Sequence, residues 1–147
     1  MKGTYVLIME NHADREVGIG KLGRAAFKSG FYAYVGSALS GLSQRIRRHL
    51  REVGENKKLH WHIDYFLASS GVEVKGVVFA ETEERKECEI AAKLQMKKGL
   101  EHIANFGCSD CSCRSHLFFS TSFDRLKEDV YNGFHESGID EVLNKDF

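Results

Sequence analysis

Three arginines and a histidine crowd one short stretch, RIRRHL, where Arg45, Arg48 and His49 fall on the polar side of an expected helix. Residues four apart share a helix face, so Arg45 and His49 are spaced to converge on one anion. A guanidinium fork matches phosphate oxygens, and an imidazole transfers or positions a proton near neutral pH. The same spacing also describes an ordinary solvated basic face, and composition alone does not choose between the two.

Three further constellations carry ligand or phosphate chemistry. Cys108, Cys111, Cys113 and His116 place four nitrogen or sulfur donors within nine residues. Zinc takes such donors tetrahedrally, but CxxCxCxxH is compressed relative to paired knuckles, and a loop wrapping one ion this tightly would be distorted. Structural packing with hydrogen bonds from Asp110 and Ser115 is therefore the first expectation, with structural zinc second and redox chemistry third. WHIDY offers His62 and Asp64 as substrate or metal groups, whereas Trp61 and Tyr65, four apart, equally suit core anchors. Gly18, Gly20 and Gly23 match the dinucleotide fingerprint GxGxxG. That fingerprint must open a full helix, and RAAF followed at once by KSG leaves no room for one. These glycines are read as turns, with no dinucleotide partner.

The elements that must position these groups follow from patterning. GTYVLIM reads as a first strand, and VGIG as a strand pairing back on it. RAAF and GFYAYVG read as a second strand pair split by Lys28-Ser29-Gly30. Leu42, Ile46, Leu50 and Val53 form the buried stripe of a helix capped by Ser40 or Ser43 and ended by Gly54-Glu55-Asn56. HWHIDYFLASS is a shorter helix, and VEVKGVVFA a buried strand. TEERKECEIAAKLQMKKG is a helix capped by Thr82, acidic at its start and basic at its end. After a Cys/Ser/Gly-rich loop over 106–116, SHLFFS is a strand and SFDRLKEDVYNGFHES a last amphipathic helix. The expected class is α+β, a single domain over 1–147.

Charge narrows the partners. The formal net charge is zero, from 21 basic and 21 acidic residues, which argues against a binder held by bulk charge. Charge is segregated, however. Residues 43–62 hold Arg45, Arg47, Arg48, Arg51, Lys57 and Lys58 against Glu52 and Glu55, while the tail from Thr121 is acidic. No apolar run approaches the ~20 residues of a membrane span, and the start of the chain is too short in apolar residues for a signal peptide. A cytoplasmic location without a membrane partner is expected. There, four cysteines (Cys88 is the other) suggest metal or reactive thiols over disulfides.

Gly3-Thr4-Tyr5 on the first strand and Tyr34-Val35-Gly36 on a later one resemble the two tripeptides that name the GIY-YIG nucleases. Arg45 lies eleven residues past Tyr34, where that family carries its helix arginine. The chain is similar over nearly its whole length to a subfamily catalogued as domain of unknown function 123, through GFYAYVGSA, RIRRHL, WHIDY, KECEIA and FGCSDCSCRSHLF. It departs from the wider family in the 28 residues between Tyr5 and Tyr34, where a tight hairpin is usual.

The resemblance implies a small antiparallel or mixed central sheet flanked by helices, with a β-insertion between the two motif strands that would partly cover the DNA-binding face. Segment 106–147 would be a subfamily extension. The implied activity is metal-dependent endonucleolytic hydrolysis of DNA, in repair or in processing of branched or damaged DNA; the alternative is a nucleic-acid-binding module with weak or no catalysis. Glu87 would hold Mg²⁺ or Mn²⁺, Arg45 the phosphate, and Tyr5 would orient water with Tyr34 and His49 assisting. Gly36, Ser37, Arg48 and His62 would contact substrate, and a partner protein would supply targeting. Glu89 competes with Glu87 for the metal, but residues two apart on a helix point about 200° apart, so only one can face the site. The Glu-Cys of KECEIA favours Glu87.

Overall fold

The computed structural model describes residues 2–51, 59, 61–108 and 111–147. Its strands are β1 (Gly3–Asn11), β2 (Arg15–Ile19), β3 (Gly23–Phe27), β4 (Gly30–Ala38), β5 (Val72–Glu81), β6 (Glu101–His102), β7 (Leu117–Ser120) and β8 (Leu143–Asp146). Its α-helices are α1 (Leu42–Leu50), α2 (His62–Leu67), α3 (Glu87–Gln95) and α4 (Phe123–Glu136). The architecture is α+β, with a six-stranded antiparallel sheet in the order β6-β7-β4-β1-β5-β8. Among the described residues, no helix is long and apolar enough to cross a membrane.

Both faces of the central strands are covered, which explains why β1 is apolar almost throughout instead of alternating. Tyr5, Leu7 and Met9 of β1 and Tyr32 and Tyr34 of β4 point to one face, where Leu42 and Ile46 of α1 and Ile63 and Phe66 of α2 meet them. Val6, Ile8, Ala33 and Val35 point to the other, against Ile90, Ala91 and Leu94 of α3 and Leu126, Val130 and Phe134 of α4. Each such side chain, fully buried, contributes roughly 1.5–3 kcal/mol relative to exposure. α1, α2 and the adjoining loops therefore share a sheet face with both tyrosines.

The insertion departs from the expected pairing. β2 does not return onto β1, and β3 does not pair with β4; β2 and β3 form a separate two-stranded sheet around the 3₁₀ turn Gly20–Leu22. Gly20 and Gly23 take positive φ there, 48° and 88°, the turn role expected of them. β1 and β4 are sequence-distant but pair directly, with Tyr5 opposite Gly36. Segment 106–147 is built into the same sheet and core. β7 extends the sheet beside β4, α4 covers one face, and β8 pairs with β5.

Two helix starts also differ. α1 begins after Gly41 in the left-handed region, without a side-chain cap from Ser40 or Ser43. Leu42 and Ile46 are buried as the stripe requires and Leu50 is 37% exposed, while Val53 and Gly54-Glu55-Asn56 lie outside the described residues. α3 begins at Glu87, because Thr82 is spent on a hydroxyl contact to Thr4 at 3.3 Å and caps nothing. It ends at Gln95, before the lysine run. α4 starts where its sequence signals it, with the Ser122 hydroxyl accepting from the Arg125 amide. α2 is held at its start by Asp64, which accepts the Trp61 amide at 2.9 Å.

Candidate functional site

A cleft of about 810 Å³ opens beside the paired motif strands, lined by Tyr5, Tyr34, Gly36, Ser37, Arg45, His62 and Glu87 among others. Seven of the nine residues expected at the site therefore meet in one concavity. Tyr5 and Tyr34 come from facing strands, Gly36 and Ser37 from the end of β4, Arg45 from α1, His62 from α2 and Glu87 from the first turn of α3.

The glycines of the two tripeptides have a steric reason. A Cβ on Gly36 would stand 2.5 Å from the ring and hydroxyl of Tyr5, so the missing side chain is the space that ring occupies. A Cβ on Gly3 would stand 2.5 Å from the Ala80 carbonyl and from Leu42. Contacts under 3 Å cannot be met without moving the strand or the ring, so Gly36 fixes how deep Tyr5 sits and Gly3 how closely α1 and β5 approach β1.

Tyr5 is 2% exposed, and its hydroxyl lies 2.7 Å from His49 Nε2. Burial pushes the Tyr5 phenol well above its ordinary range, although the neighbouring Arg45 guanidinium pulls the other way. Tyr34 is raised for the same first reason. Both act as neutral phenols, able to donate and accept hydrogen bonds but not to rest as tyrosinates.

The basic helix divides its labour. Arg45 Nη1 donates to the Ser37 carbonyl at 3.1 Å, and its guanidinium stacks over Trp61 at 4.6 Å, which holds it at the cleft wall. Arg48 does something else. Its two terminal nitrogens grip both oxygens of the fully buried Asp64 at 3.1 Å, and it stacks on Trp61 at 4.3 Å. That bidentate pair takes up the fork expected for substrate, so Arg48 is a structural residue. His49 likewise does not share an exposed anion site with Arg45: it is 2% exposed and lies behind Tyr5.

His62 Nδ1 accepts the Gly107 amide at 2.8 Å, which leaves Nε2 as the protonated nitrogen of a neutral ring. Desolvation lowers its pKa below 6.5 and favours that neutral form. Glu87 lines the cleft and pairs with Arg85, whereas Glu89 is turned outward and pairs with Lys86 at 3.1 Å. The two-residue spacing thus resolves as expected, with Glu87 inward.

The cleft also holds residues not singled out for it. Trp61 and Tyr65 line it although their spacing suggested core anchors, and Lys21 and Arg85 add cationic groups. Three cations, Lys21, Arg45 and Arg85, thereby face one carboxylate, Glu87. Lys21 arrives on the insertion, whose Gly20 meets the Tyr65 ring at 3.2–3.3 Å distances for an added Cβ. Only the WHIDY aromatics carried a sequence signal; Lys21 and Arg85 sit in stretches without periodicity.

Two further groups could hold a metal ion. Cys88, Cys111, Cys113 and His116 bring one donor atom each to within 4.8 Å of one another. This differs from the expected set, because Cys108 is replaced by Cys88 from α3; the Cys108 thiol donates to the Phe106 carbonyl at 3.4 Å. Ser115 bonds both backbone groups of Leu117 at 2.9 Å, and Asp110 lies outside the described residues. The second group is Glu10, His12 and Glu73, where Lys75 already lies 3.8 Å from Glu10 and 3.4 Å from Glu73.

No curated protein and no solved structure matches the chain. A family model described as Domain of unknown function DUF123 matches residues 4–139, a span that takes in both tyrosines, Arg45, Glu87 and the thiol group. On that match, the chain belongs to the family described as Domain of unknown function DUF123.

Proposed function

We propose that the cleft hydrolyses phosphodiester bonds in DNA, in the manner of the GIY-YIG nucleases, with a divalent cation as cofactor. The observation that carries this reading is the meeting of Tyr5, Tyr34, Arg45 and Glu87 from four separate elements in one cleft. Hydrolysis needs charge neutralised on the non-bridging oxygens and a positioned water. Arg45, stacked on Trp61, supplies the first as a fixed donor. For the second, Tyr5 accepts a hydrogen bond from the attacking water and passes its own proton to His49 Nε2, so no tyrosinate is needed beforehand.

Glu87 offers one hard oxygen donor, which suits Mg²⁺ or Mn²⁺ because Mg²⁺ keeps most of its waters. Such an ion supplies charge neutralisation at the phosphate. Arg85, the present partner of Glu87, is 58% exposed along its side chain, and a bound cation would take over its charge beside a carboxylate that is itself only 13% exposed. With no net charge, the chain gains little non-specific affinity of its own, and a partner protein would supply targeting.

Nicking of plasmid or branched DNA in Mg²⁺ or Mn²⁺ tests the reading. Arg45→Ala and Glu87→Ala should each lose activity with an unchanged far-UV circular dichroism spectrum. Undiminished nicking by either purified variant would sink it. A second reading, a nucleic-acid-binding module without hydrolysis, draws on one observation: the Arg85 pairing leaves the cleft cationic and its carboxylate neutralised. It predicts salt-sensitive DNA binding with no metal-dependent nicking.

A further inference from the structure

We propose that Cys88, Cys111, Cys113 and His116 form a closed zinc site that staples the loop before β7 to the first turn of α3. Three of these donors are within six residues of one another in sequence, and the fourth comes from 23 residues upstream of Cys111. Only a folded chain brings them together, and their donor atoms all lie within 4.8 Å of one another. Cys111 Sγ lies 3.6 Å and Cys88 Sγ 3.9 Å from His116 Nε2. Zinc–sulfur and zinc–nitrogen bonds of about 2.3 and 2.05 Å at a tetrahedral angle require a sulfur-to-nitrogen edge of about 3.6 Å. Both of these edges are thus close to those of an ion's tetrahedron.

His116 is oriented for this from behind. It is 3% exposed, its amide donates to the Phe106 carbonyl at 2.8 Å, and its carbonyl accepts the Val35 amide at 2.9 Å. The backbone that carries the imidazole is therefore tied to β4, and the ring is presented to the thiols by a rigid frame. Three thiolates and one imidazole select zinc over hard cations such as Mg²⁺. Four protein donors leave no open position, which marks a structural site, not a catalytic one. Binding releases the thiol protons to solvent and links loop, α3 and sheet.

This inference does not rest on the nuclease reading, since metal content is measured without substrate. Its consequence for the cleft is positional. Cys88 follows Glu87 in sequence, and His116 lines the same cleft, so the staple would fix two segments of its lining.

The test is elemental analysis of the untagged chain purified without chelator, with about one zinc per chain expected. Cobalt replacement should then give thiolate-to-cobalt charge-transfer absorption and tetrahedral ligand-field bands. Cys88→Ser and Cys113→Ser should lose both, while Cys108→Ser keeps them. Should the ligand variants fail to fold, thiol titration of the native wild-type chain decides. Three of the four cysteines should be protected until chelator is added, leaving Cys108 reactive. A chain that takes up neither zinc nor cobalt overturns the proposal, as does metal loss in Cys108→Ser with retention in Cys88→Ser. Iron–sulfide in place of zinc overturns the choice of metal.

Discussion

The two walls of the cleft are built by different chemistry. On one, α1 and α2 are locked by charge: Arg48 grips the buried Asp64, Asp64 caps α2, and both Arg45 and Arg48 stack on Trp61. On the other, the start of α3 meets the loop before β7 through three thiols and an imidazole. The first wall is complete in the protein alone, because Arg48 has both Asp64 and the Trp61 ring, and Arg45 has the Trp61 ring and the Ser37 carbonyl. The second gathers metal-type donors, and its rigidity is proposed to come from zinc. Each wall also sends one charged group into the cleft, Arg45 from the first and Glu87 from the second. What holds a wall and what works in the cleft are separate residues close in sequence: Arg48 is three residues from Arg45, and Cys88 is next to Glu87.

The comparison breaks most visibly at Arg48. Arg48→Ala strands the Asp64 carboxylate at 0% exposure and should cost about 3–5 kcal/mol in denaturant unfolding. A cost near that of an exposed ion pair, below about 1 kcal/mol, would show that charge does not hold this wall. Arg45→Ala and Glu87→Ala should leave stability nearly intact and instead lower the nicking rate about 10²–10³-fold, the loss typical of one removed transition-state donor. Gly36→Ala reaches the floor between the walls. It pushes Tyr5 off its site and should cost about 1–3 kcal/mol together with a drop in nicking.

The smallest effect sharpens the comparison where the walls touch. His62 on α2 accepts the Gly107 amide of the opposite loop, so it bridges the two. Its pKa is lowered by desolvation in the folded chain, and the unfolded chain therefore binds more protons just below pH 6.5. The stability it contributes is fully present above that value and is lost as pH falls through the lower folded-state pKa. Melting temperature compared between about pH 7.5 and about pH 5.5 should fall less for His62→Asn than for the wild type. An equal fall in both would remove the bridge from the account.

Local pattern was a good guide to whatever depends on neighbours in sequence. The apolar run of β1, the Leu42–Ile46 stripe of α1 and the extent of the amphipathic α4 were all legible, because each is set by a local period. It failed at Thr82, where a contact to Thr4 across the sheet outcompetes a cap, and at the insertion, where alternation marks strands but not their partners.

The sequence by itself determined the class of the fold, the two tyrosine strands, the arginine helix and a chain rich in metal-type donors. Only the tertiary structure decided among near neighbours: Arg45 for the cleft and Arg48 for Asp64, Glu87 inward and Glu89 outward, Cys88 into the thiol group and Cys108 out of it. Those choices rest on which side chain reaches a partner far along the chain, and periodicity records faces, not partners. Asp64 is sixteen residues from Arg48, and Cys88 is 28 from His116. Both distances close only when the sheet brings its helices together.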